Sequence, residues 1–190
     1  MITIFLAYFL IASYFLMERY LRQGAEALSL QPSKLDSGSS RLMWSLGLLN
    51  LLVILLAPII NNYAIGYLSN YFAGWLGILL MVLGITLRYL AAQTLGQFYT
   101  RTLRIIPEHQ IISKGIYSLI RHPGYLGTFL MMLGVGLAVN NWLIFLFITL
   151  TETIVRIYRI YIEEKMLEAF FREEYKVYRK KTWRLIPLIF

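Results

Sequence analysis

The sequence contains no cysteine, and this absence excludes several kinds of site at once. Without cysteine there can be no disulfide framework, thiol nucleophile, cysteine-ligated zinc ion or iron–sulfur cluster. Charged residues are also scarce: they make up 15% of the 190 residues, against 58% hydrophobic residues, and the mean hydropathy is +0.62. Because soluble domains carry about 25% charged residues, the composition predicts a single integral membrane domain, residues 1–190, whose core lies largely in lipid.

Several nucleotide and metal motifs are missing from the sequence as well. There is no G-x-G-x-x-G after a strand, no phosphate-binding Walker loop and no H-E-x-x-H, which excludes soluble Rossmann enzymes and zinc proteases of that type. Gly134-Val-Gly136 lies inside an apolar segment, where closely spaced glycines favour helix packing. His109 and His122 are the only histidines, so we predict no metal site.

Long uncharged stretches predict five membrane-spanning helices. Breaks fall at Asn61 and Asn62, which precede a polar aromatic stretch, and at Asn140 and Asn141. The predicted spans are residues 1–17, 42–60, 71–90, 125–139 and 142–157, and a loop-like linker occupies residues 29–40. The expected fold class is therefore an all-α transmembrane bundle: residues 1–90 hold three spans, and residues 91–190 hold a helical hairpin followed by an amphipathic C-terminal helix.

The net charge of +8 is explained by topology. All 18 lysines and arginines fall in three segments, residues 19–41, 88–121 and 156–184, which five spans place on the same side. Basic residues near span ends are retained in the cytoplasm. The sequence thus predicts an outer amino terminus, a cytoplasmic carboxyl-terminal tail, and attraction to anionic headgroups rather than to nucleic acid.

Polar side chains that could carry chemistry are concentrated in two cytoplasmic segments, residues 93–121 and 152–184. In the first, Arg121 and His122 come directly before Pro123, which suits the first turn of a helix, and Gly124 lets another group approach the backbone. Free backbone donors at such a helix start attract anions. The alternative is that Arg121 and His122 only flank a membrane helix at the headgroups.

The second segment begins inside the fifth span. Glu152 and Arg156 are four residues apart, and so are Arg159 and Glu163. These residues are either mutual ion pairs on a helix surface or functional groups, because charges at membrane depth need a partner or a wet cavity. Further along, large side chains recur at helical spacing, which favours packing: Leu167, Phe170, Phe171, Tyr175 and Tyr178.

Taken together, these blocks resemble the isoprenylcysteine carboxyl methyltransferase family of membrane enzymes that use S-adenosylmethionine. The matching blocks cover about the last 100 residues, and their order and spacing are more specific than any single block. They are His109-Gln-Ile-Ile, Gly115-x-Tyr117, Arg121-His-Pro-x-Tyr125-x-Gly127, Arg159-x-x-x-Glu163-Glu164, Phe171-x-Glu-Glu-Tyr175-x-x-Tyr178 and Arg184-x-x-Pro187.

The resemblance implies a cofactor pocket for S-adenosylmethionine that the C-terminal helix closes. Its cofactor-binding residues would be His109, Gln110, Ile111, Ile112, Tyr117, His122, Pro123, Gly124, Tyr125 and Glu163. Arg159 matches the family's arginine where substrate meets cofactor, and Arg121 is the second catalytic candidate. The sequence departs from the family at Arg172, where glycine is common, and at Thr102, where an amide is expected.

The resemblance also implies a lipophilic acceptor that enters from the bilayer, most simply the carboxylate of an isoprenylcysteine-like molecule. A carboxylate is ionised at pH 7 and needs no general base, which agrees with a sequence that offers no obvious base. Two alternatives stay open: an amine or thiol acceptor, as in phospholipid methyltransferases, and an intramembrane NADPH-dependent reductase of the sterol type. A non-enzymatic multispan protein is the remaining possibility.

Overall fold

The computed structural model describes residues 2–22, 36–100, 102–106 and 108–187. Six α-helices lie in these ranges: α1 (Ile2–Leu21), α2 (Ser39–Asn62), α3 (Tyr71–Leu95), α4 (Pro123–Ala138), α5 (Trp142–Phe171) and α6 (Glu173–Lys181). Two short 3-10 helices, Gly96–Phe98 and Gly115–Ser118, lie between α3 and α4. Strand-like pairing in the described ranges is limited to two isolated bridges, Tyr67 with Asn141 and Ile120 with Trp183, so the all-α prediction is confirmed.

Within the described ranges, three helices are long and apolar enough to cross a bilayer: Ile2–Leu21, Ser39–Asn62 and Tyr71–Phe98. They correspond to the first three predicted spans. The apolar α4 has only 16 residues, and α5 has 30 residues with charged side chains along its second half. Helices therefore exist where the fourth and fifth spans were expected, and the crossing of the bilayer by residues 125–139 and 142–157 stays a prediction.

The helices extend past the predicted spans at their charged ends. Helix α1 continues to Leu21 although the uncharged stretch ends at residue 17, because Glu18 is buried against neighbouring arginines. Helix α5 runs on as one helix to Phe171. Helix α4 begins at Pro123, as the missing amide hydrogen of that residue predicts.

Glycines bring α3 and α4 into backbone contact, which explains their extensive packing. A Cβ placed on Gly134 would lie 2.5 Å from the carbonyl oxygen of Gly77, and one on Gly84 would lie 2.5 Å from the carbonyl oxygen of Gly127. Only hydrogen fits at such distances. The expectation that Gly134 serves helix packing is therefore confirmed.

Asparagines fix the end of the bundle opposite the charged segments. Asn141 caps α5 by accepting a hydrogen bond from the Ile144 backbone at 3.0 Å, and it donates to Asn61 at 2.8 Å. Asn61 in turn donates to the Val139 carbonyl at 2.8 Å. Asn61 and Asn141 were read from the sequence only as breaks, but they join α2 to the turn between α4 and α5.

The other end of the bundle collects the polar segments. A hydrophobic core that includes Ile54, Met81, Val135 and Ile148 fills the centre. The connection between α3 and α4, the second half of α5 and the short α6 all lie at the end where α1 finishes and α2 begins. Arg172 joins α5 to α6 in the left-handed region, with φ of 48°, a conformation that the family's usual glycine would adopt without strain.

Candidate functional site

A cavity of about 590 Å³ opens at this polar end of the bundle. All six helices and the connection between α3 and α4 contribute to its wall. The volume lies in the range of small-molecule sites. We distinguish a polar section, formed by residues 109–125 and Glu163, from an apolar section that continues between the helices. The apolar section is lined by Ile11, Phe15, Met43, Gly47, Leu48, Leu51, Ile54 and Met131.

Eleven of the twelve predicted site residues line this cavity. They are His109, Gln110, Ile111, Ile112, Tyr117, Arg121, His122, Gly124, Tyr125, Arg159 and Glu163. Pro123 is the exception, because it is fully buried as the first residue of α4. Pro123 therefore shapes the helix start, and the neighbouring Gly124 presents its backbone to the cavity.

The polar section is built around His122 and Glu163, which the sequence separates by 41 positions. The His122 Nδ1 atom lies 4.0 Å from a Glu163 carboxylate oxygen, and the Tyr125 hydroxyl donates to the same carboxylate. The rings of His122 and Tyr125 stack with centroids 5.5 Å apart. The first turn of α4 and the second half of α5 thus face one small volume, as the resemblance requires.

His109 forms a second wall of the polar section. Its ring packs between Phe98 and Phe171, with centroid distances of 5.0 and 5.7 Å. Burial lowers the pKa of His109 below its ordinary value, although the Glu163 carboxylate offsets part of this effect. The ring is therefore neutral at pH 7, and its buried Nδ1 atom makes no hydrogen bond to the described residues. Such an unused polar atom in a cavity wall is suited to a ligand.

Arg121 joins the polar section to the end of the chain. Its Nε atom donates to Glu164 at 2.9 Å, and Nη1 donates to the Arg179 carbonyl at 3.1 Å and to the Thr182 carbonyl. Its backbone amide also donates to the Trp183 carbonyl at 2.8 Å. These contacts hold the end of α6 against the start of α4, and the catalytic role predicted for Arg121 stays a prediction.

Helix α6 covers the cavity. Tyr175 and Tyr178 line the wall, and the Tyr178 hydroxyl donates to the Tyr117 carbonyl at 2.8 Å. Leu167 and Phe171 line it too, whereas Phe170 is exposed. The interpretation of these side chains as packing alone was therefore incomplete, since four of the five also form the site.

Arg159 is held by residues that sequence reasoning did not connect with the site. Its Nη1 atom donates to Asp36 at 3.0 Å and to the hydroxyls of Ser39 and Ser40 at 3.0 and 2.6 Å. Its Nε atom donates to the Tyr125 hydroxyl at 3.3 Å. Asp36 is almost fully buried. The end of the predicted linker therefore belongs to the site, while residues 29–35 lie outside the described ranges.

Glu18 and Arg88 form another buried ion pair in the wall, with 2.9 Å between the Glu18 carboxylate and the Arg88 Nε atom. Tyr99 donates to Glu18 at 2.6 Å, and Arg88 donates to the Gly124 carbonyl at 3.0 Å. Glu18 orients Arg88, and Arg88 in turn holds the Gly124 carbonyl at the start of α4. The sequence offered one signal for this role, since Glu18 is an acidic residue directly beside an apolar span.

Comparisons with known proteins agree with this geometry. Residues 72–174 match a family model described as phospholipid methyltransferase. The protein-S-isoprenylcysteine O-methyltransferase of Schizosaccharomyces pombe is 32% identical over 199 residues, which covers 97% of this chain and 81% of that protein. This chain belongs to the isoprenylcysteine carboxyl methyltransferase family.

Other family members match over shorter stretches. A probable protein-S-isoprenylcysteine O-methyltransferase of Oryza sativa subsp. indica is 34% identical over 121 residues, 63% of this chain and 63% of the rice protein. A solved structure described as the eukaryotic intramembrane Ras methyltransferase ICMT superposes with a TM-score of 0.57 and 32% identity. It covers 61% of this chain and 43% of that one. The chain thus spans less than two thirds of the length of both proteins.

The family model and the site do not have the same limits. Residues 72–174 include the polar section and both Arg88 and Arg159. The carboxylates that hold these two arginines, Glu18 and Asp36, lie before the matched range. In this member of the isoprenylcysteine carboxyl methyltransferase family, the amino-terminal helices therefore complete the cavity.

Proposed function

We propose that the chain is an integral membrane methyltransferase that moves a methyl group from S-adenosylmethionine to the carboxylate of an isoprenylcysteine-like acceptor. The observation that carries the proposal is a cavity in which a polar section meets an apolar section. A charged, water-soluble donor and a lipophilic acceptor need those two environments side by side.

The polar section suits the donor. The amino-acid portion of S-adenosylmethionine carries an ammonium and a carboxylate. Glu163 supplies a carboxylate that can pair with the ammonium. The cavity wall also offers His122 and the unused Nδ1 atom of His109. Phe171 at the end of α5 and Tyr178 of α6 form the outer wall of this section. Their aromatic rings exclude water, which strengthens the charged contacts.

The apolar section suits the acceptor. Its lining residues come from α1, α2 and α4, so the hydrocarbon chain of an acceptor bound there is removed from water. Along α2 the lining residues run from Met43 to Ile54, a rise of about 16 Å. Burying a hydrocarbon chain of that length gives about 0.8 kcal/mol for each CH₂ group. We infer that the acceptor enters from the bilayer and that the donor enters from the cytoplasm.

Arg159 lies at the boundary between the two sections. Its contact with Tyr125 places the guanidinium beside the polar section, and Asp36 fixes its orientation. The Nη2 atom of Arg159 makes no hydrogen bond to the described residues and can donate to a carboxylate. We assign to Arg159 the orientation of the acceptor carboxylate, which brings the reacting atoms into line and lowers the barrier to transfer.

The donor, when bound, supplies an electrophilic methyl group on a positive sulfur. A lone pair of the carboxylate oxygen forms the new C–O bond, while the electrons of the broken C–S bond stay on sulfur. The products are a neutral methyl ester and a neutral thioether, and no proton is released. The protein therefore needs no general base for this step.

The orientation in the membrane follows from charge. We infer an outer amino terminus and a cytoplasmic cavity, because all 18 basic residues fall in three segments of the sequence and the described parts of these segments lie at the cavity end of the helices. The aromatic residues Trp75, Trp142 and Tyr71 are exposed at the opposite end, where an interfacial belt is expected.

Binding of the donor product tests the proposal. Detergent-purified protein is titrated with S-adenosylhomocysteine and separately with NADPH. We expect S-adenosylhomocysteine to bind and NADPH not to bind. Replacing Glu163 by Ala should raise the Kd for S-adenosylhomocysteine about a hundredfold, since a charge-assisted contact is lost. Replacing Arg159 by Ala should leave that Kd in place and lower turnover with the acceptor.

Glu173→Ala is the matched control, because Glu173 is exposed and pairs only with Lys176 among the described residues. This variant should bind S-adenosylhomocysteine like the wild type. Binding of NADPH alone would show a reductase, and normal binding by Glu163→Ala would refute the assigned donor site.

The matched phospholipid methyltransferase model supports a second candidate acceptor, a lipid amine. An amine must lose a proton during methylation, so turnover would rise steeply with pH around neutrality. A carboxylate acceptor predicts turnover that is flat between about pH 6 and 8, because the acceptor is already ionised. The pH profile of single-turnover methyl transfer separates the two.

A further inference from the structure

Arg156 uses fewer of its donors than Arg121 and Arg159, the two other arginines of the cavity wall that are less than a tenth exposed. Its side chain lines the cavity and is 7% exposed. A guanidinium has five N–H donors. Among the described residues Arg156 donates one hydrogen bond, to Glu152 at 2.5 Å, and its buried Nε atom makes none. Arg159, one turn along α5, makes four.

The surroundings of Arg156 hold the pair in place without using the free donors. Asn50 of α2 donates to the Glu152 carboxylate at 3.2 Å, and Thr151 donates to Asn50 at 2.9 Å. The guanidinium carbon of Arg156 lies 5.7 Å from the centre of the Tyr125 ring. Glu152 and Tyr125 therefore fix one side of the guanidinium, and the cavity lies beside its unused donors.

The pair lies where the acceptor would pass. With a helical rise of 1.5 Å per residue, Arg156 is about 4.5 Å and Glu152 about 10 Å deeper along α5 than Arg159. Asn50, at the level of Glu152, lies between Met43 and Ile54, which mark the two ends of the apolar section along α2. A plain hydrocarbon chain in this section would cover Arg156 and satisfy none of its unused donors.

The charge of the pair limits what can bind there. Glu152 already balances Arg156, and a second anion at this depth would leave one uncompensated negative charge in a low-dielectric environment. A neutral oxygen, such as a carbonyl or a hydroxyl, accepts a hydrogen bond from Arg156 without adding charge. The subsite therefore fits a neutral oxygen better than a second carboxylate.

We propose that Glu152 and Arg156 form a polar subsite that recognises an uncharged oxygen within the lipophilic part of the methyl acceptor, about 5 to 10 Å from its reacting group. The inference rests on the proposed function and narrows its acceptor class. It makes the preferred acceptor an isoprenylcysteine-like acid that carries a neutral oxygen in its lipophilic part.

A series of synthetic acceptors tests this inference. All share one carboxylate, one thioether and one chain length, and a single keto oxygen is moved along the chain; the parent has none. We expect one member to exceed the parent in kcat/KM by about tenfold or more, because it makes a hydrogen bond to a charged donor. The ratio of two acceptors within one protein sample does not depend on how much of the sample is folded.

The double variant Glu152→Gln/Arg156→Met removes both charges together, so neither is left buried alone. We expect its keto-to-parent ratio to fall to about one. The surface pair Glu168 and Arg179, 3.4 Å apart, supplies the control Glu168→Gln/Arg179→Met, which should keep the wild-type ratio.

Two results would overturn the subsite. One is a wild-type protein for which no keto position improves on the parent, and the other is a double variant that keeps the preference. If methyl transfer is too slow to measure, the ratio of the acceptors' Kd values in the presence of S-adenosylhomocysteine carries the same test. Failure of the proposed function has a different signature, namely loss of S-adenosylhomocysteine binding by the wild type.

Discussion

Replacing Glu164 by Gln should loosen the cover of the cavity. Glu164 lies in the part of α5 beyond the predicted span, and one of its oxygens accepts from Arg121 at 2.9 Å and from His122 at 3.3 Å. The other oxygen lies 2.9 Å from Arg184. One carboxylate thus joins the start of α4 to the end of the chain, and an amide cannot accept three such hydrogen bonds.

The size of the effect follows from the pKa of Glu164. Burial by itself would raise this pKa, but hydrogen bonds and charges from His122 and Arg121 lower it from the ordinary 4.5 to about 2. A depression of this size corresponds to about 3 kcal/mol of preference for the carboxylate. Solvent screening near the cavity mouth reduces the expected loss to about 2 kcal/mol, or about 5 °C in the melting temperature.

The effect should depend on pH in a fixed direction. Because the pKa of Glu164 is depressed in the folded protein, its stabilisation is complete above about pH 4.5 and is lost as the pH falls toward 2. The gap in melting temperature between wild type and Glu164→Gln should therefore be full at pH 6 and roughly halved by pH 3. Tryptophan fluorescence in detergent measures both melts, and Trp183, which pairs with Ile120, is a local reporter.

Glu173→Gln is the control for this measurement. Glu173 forms an exposed ion pair with Lys176 at 2.7 Å and does not line the cavity, so its replacement should leave the melting temperature unchanged. A Glu164→Gln variant that melts with the wild type at pH 6 would refute the reasoning. A gap of equal size at pH 3 and pH 6 would show that the charge of Glu164 is not the cause.

Three further substitutions probe other parts of the molecule. Asp36→Asn should lower kcat/KM for the acceptor about tenfold, because it releases Arg159. The affinity for S-adenosylhomocysteine, measured by calorimetry, should not change. Equal losses in kcat/KM and in this affinity would indicate misfolding instead. Gly134→Ala should cost about 2 kcal/mol or more, seen as a lower melting temperature, because its Cβ would meet the Gly77 carbonyl at 2.5 Å. Gly47→Leu should raise the acceptor KM and spare S-adenosylhomocysteine binding, since the added side chain enters open space beside the apolar section; an unchanged KM would place the acceptor elsewhere.

Local chemistry was sufficient to predict most helices. The uncharged stretches correspond to helices because a backbone in lipid must satisfy its own hydrogen bonds. Pro123 marked the start of α4, and Asn140 and Asn141 marked the turn before α5. The helix ends were less predictable. In the sequence a charged residue such as Glu18 marks the end of an apolar span, but a buried partner lets the helix continue.

The sequence by itself determined that this is a helical membrane protein, and its spaced motifs named the residues that line the polar section. Only the tertiary structure decided which partner each charged residue has. The contacts of Arg159 with Asp36 and of Arg88 with Glu18 join residues 123 and 70 positions apart. Helical periodicity carries no information about such distant neighbours, because ion pairing depends on how separate helices pack. For the same reason the cavity, and the unused donors of Arg156 beside it, became visible only when α2, α4 and α5 were placed together.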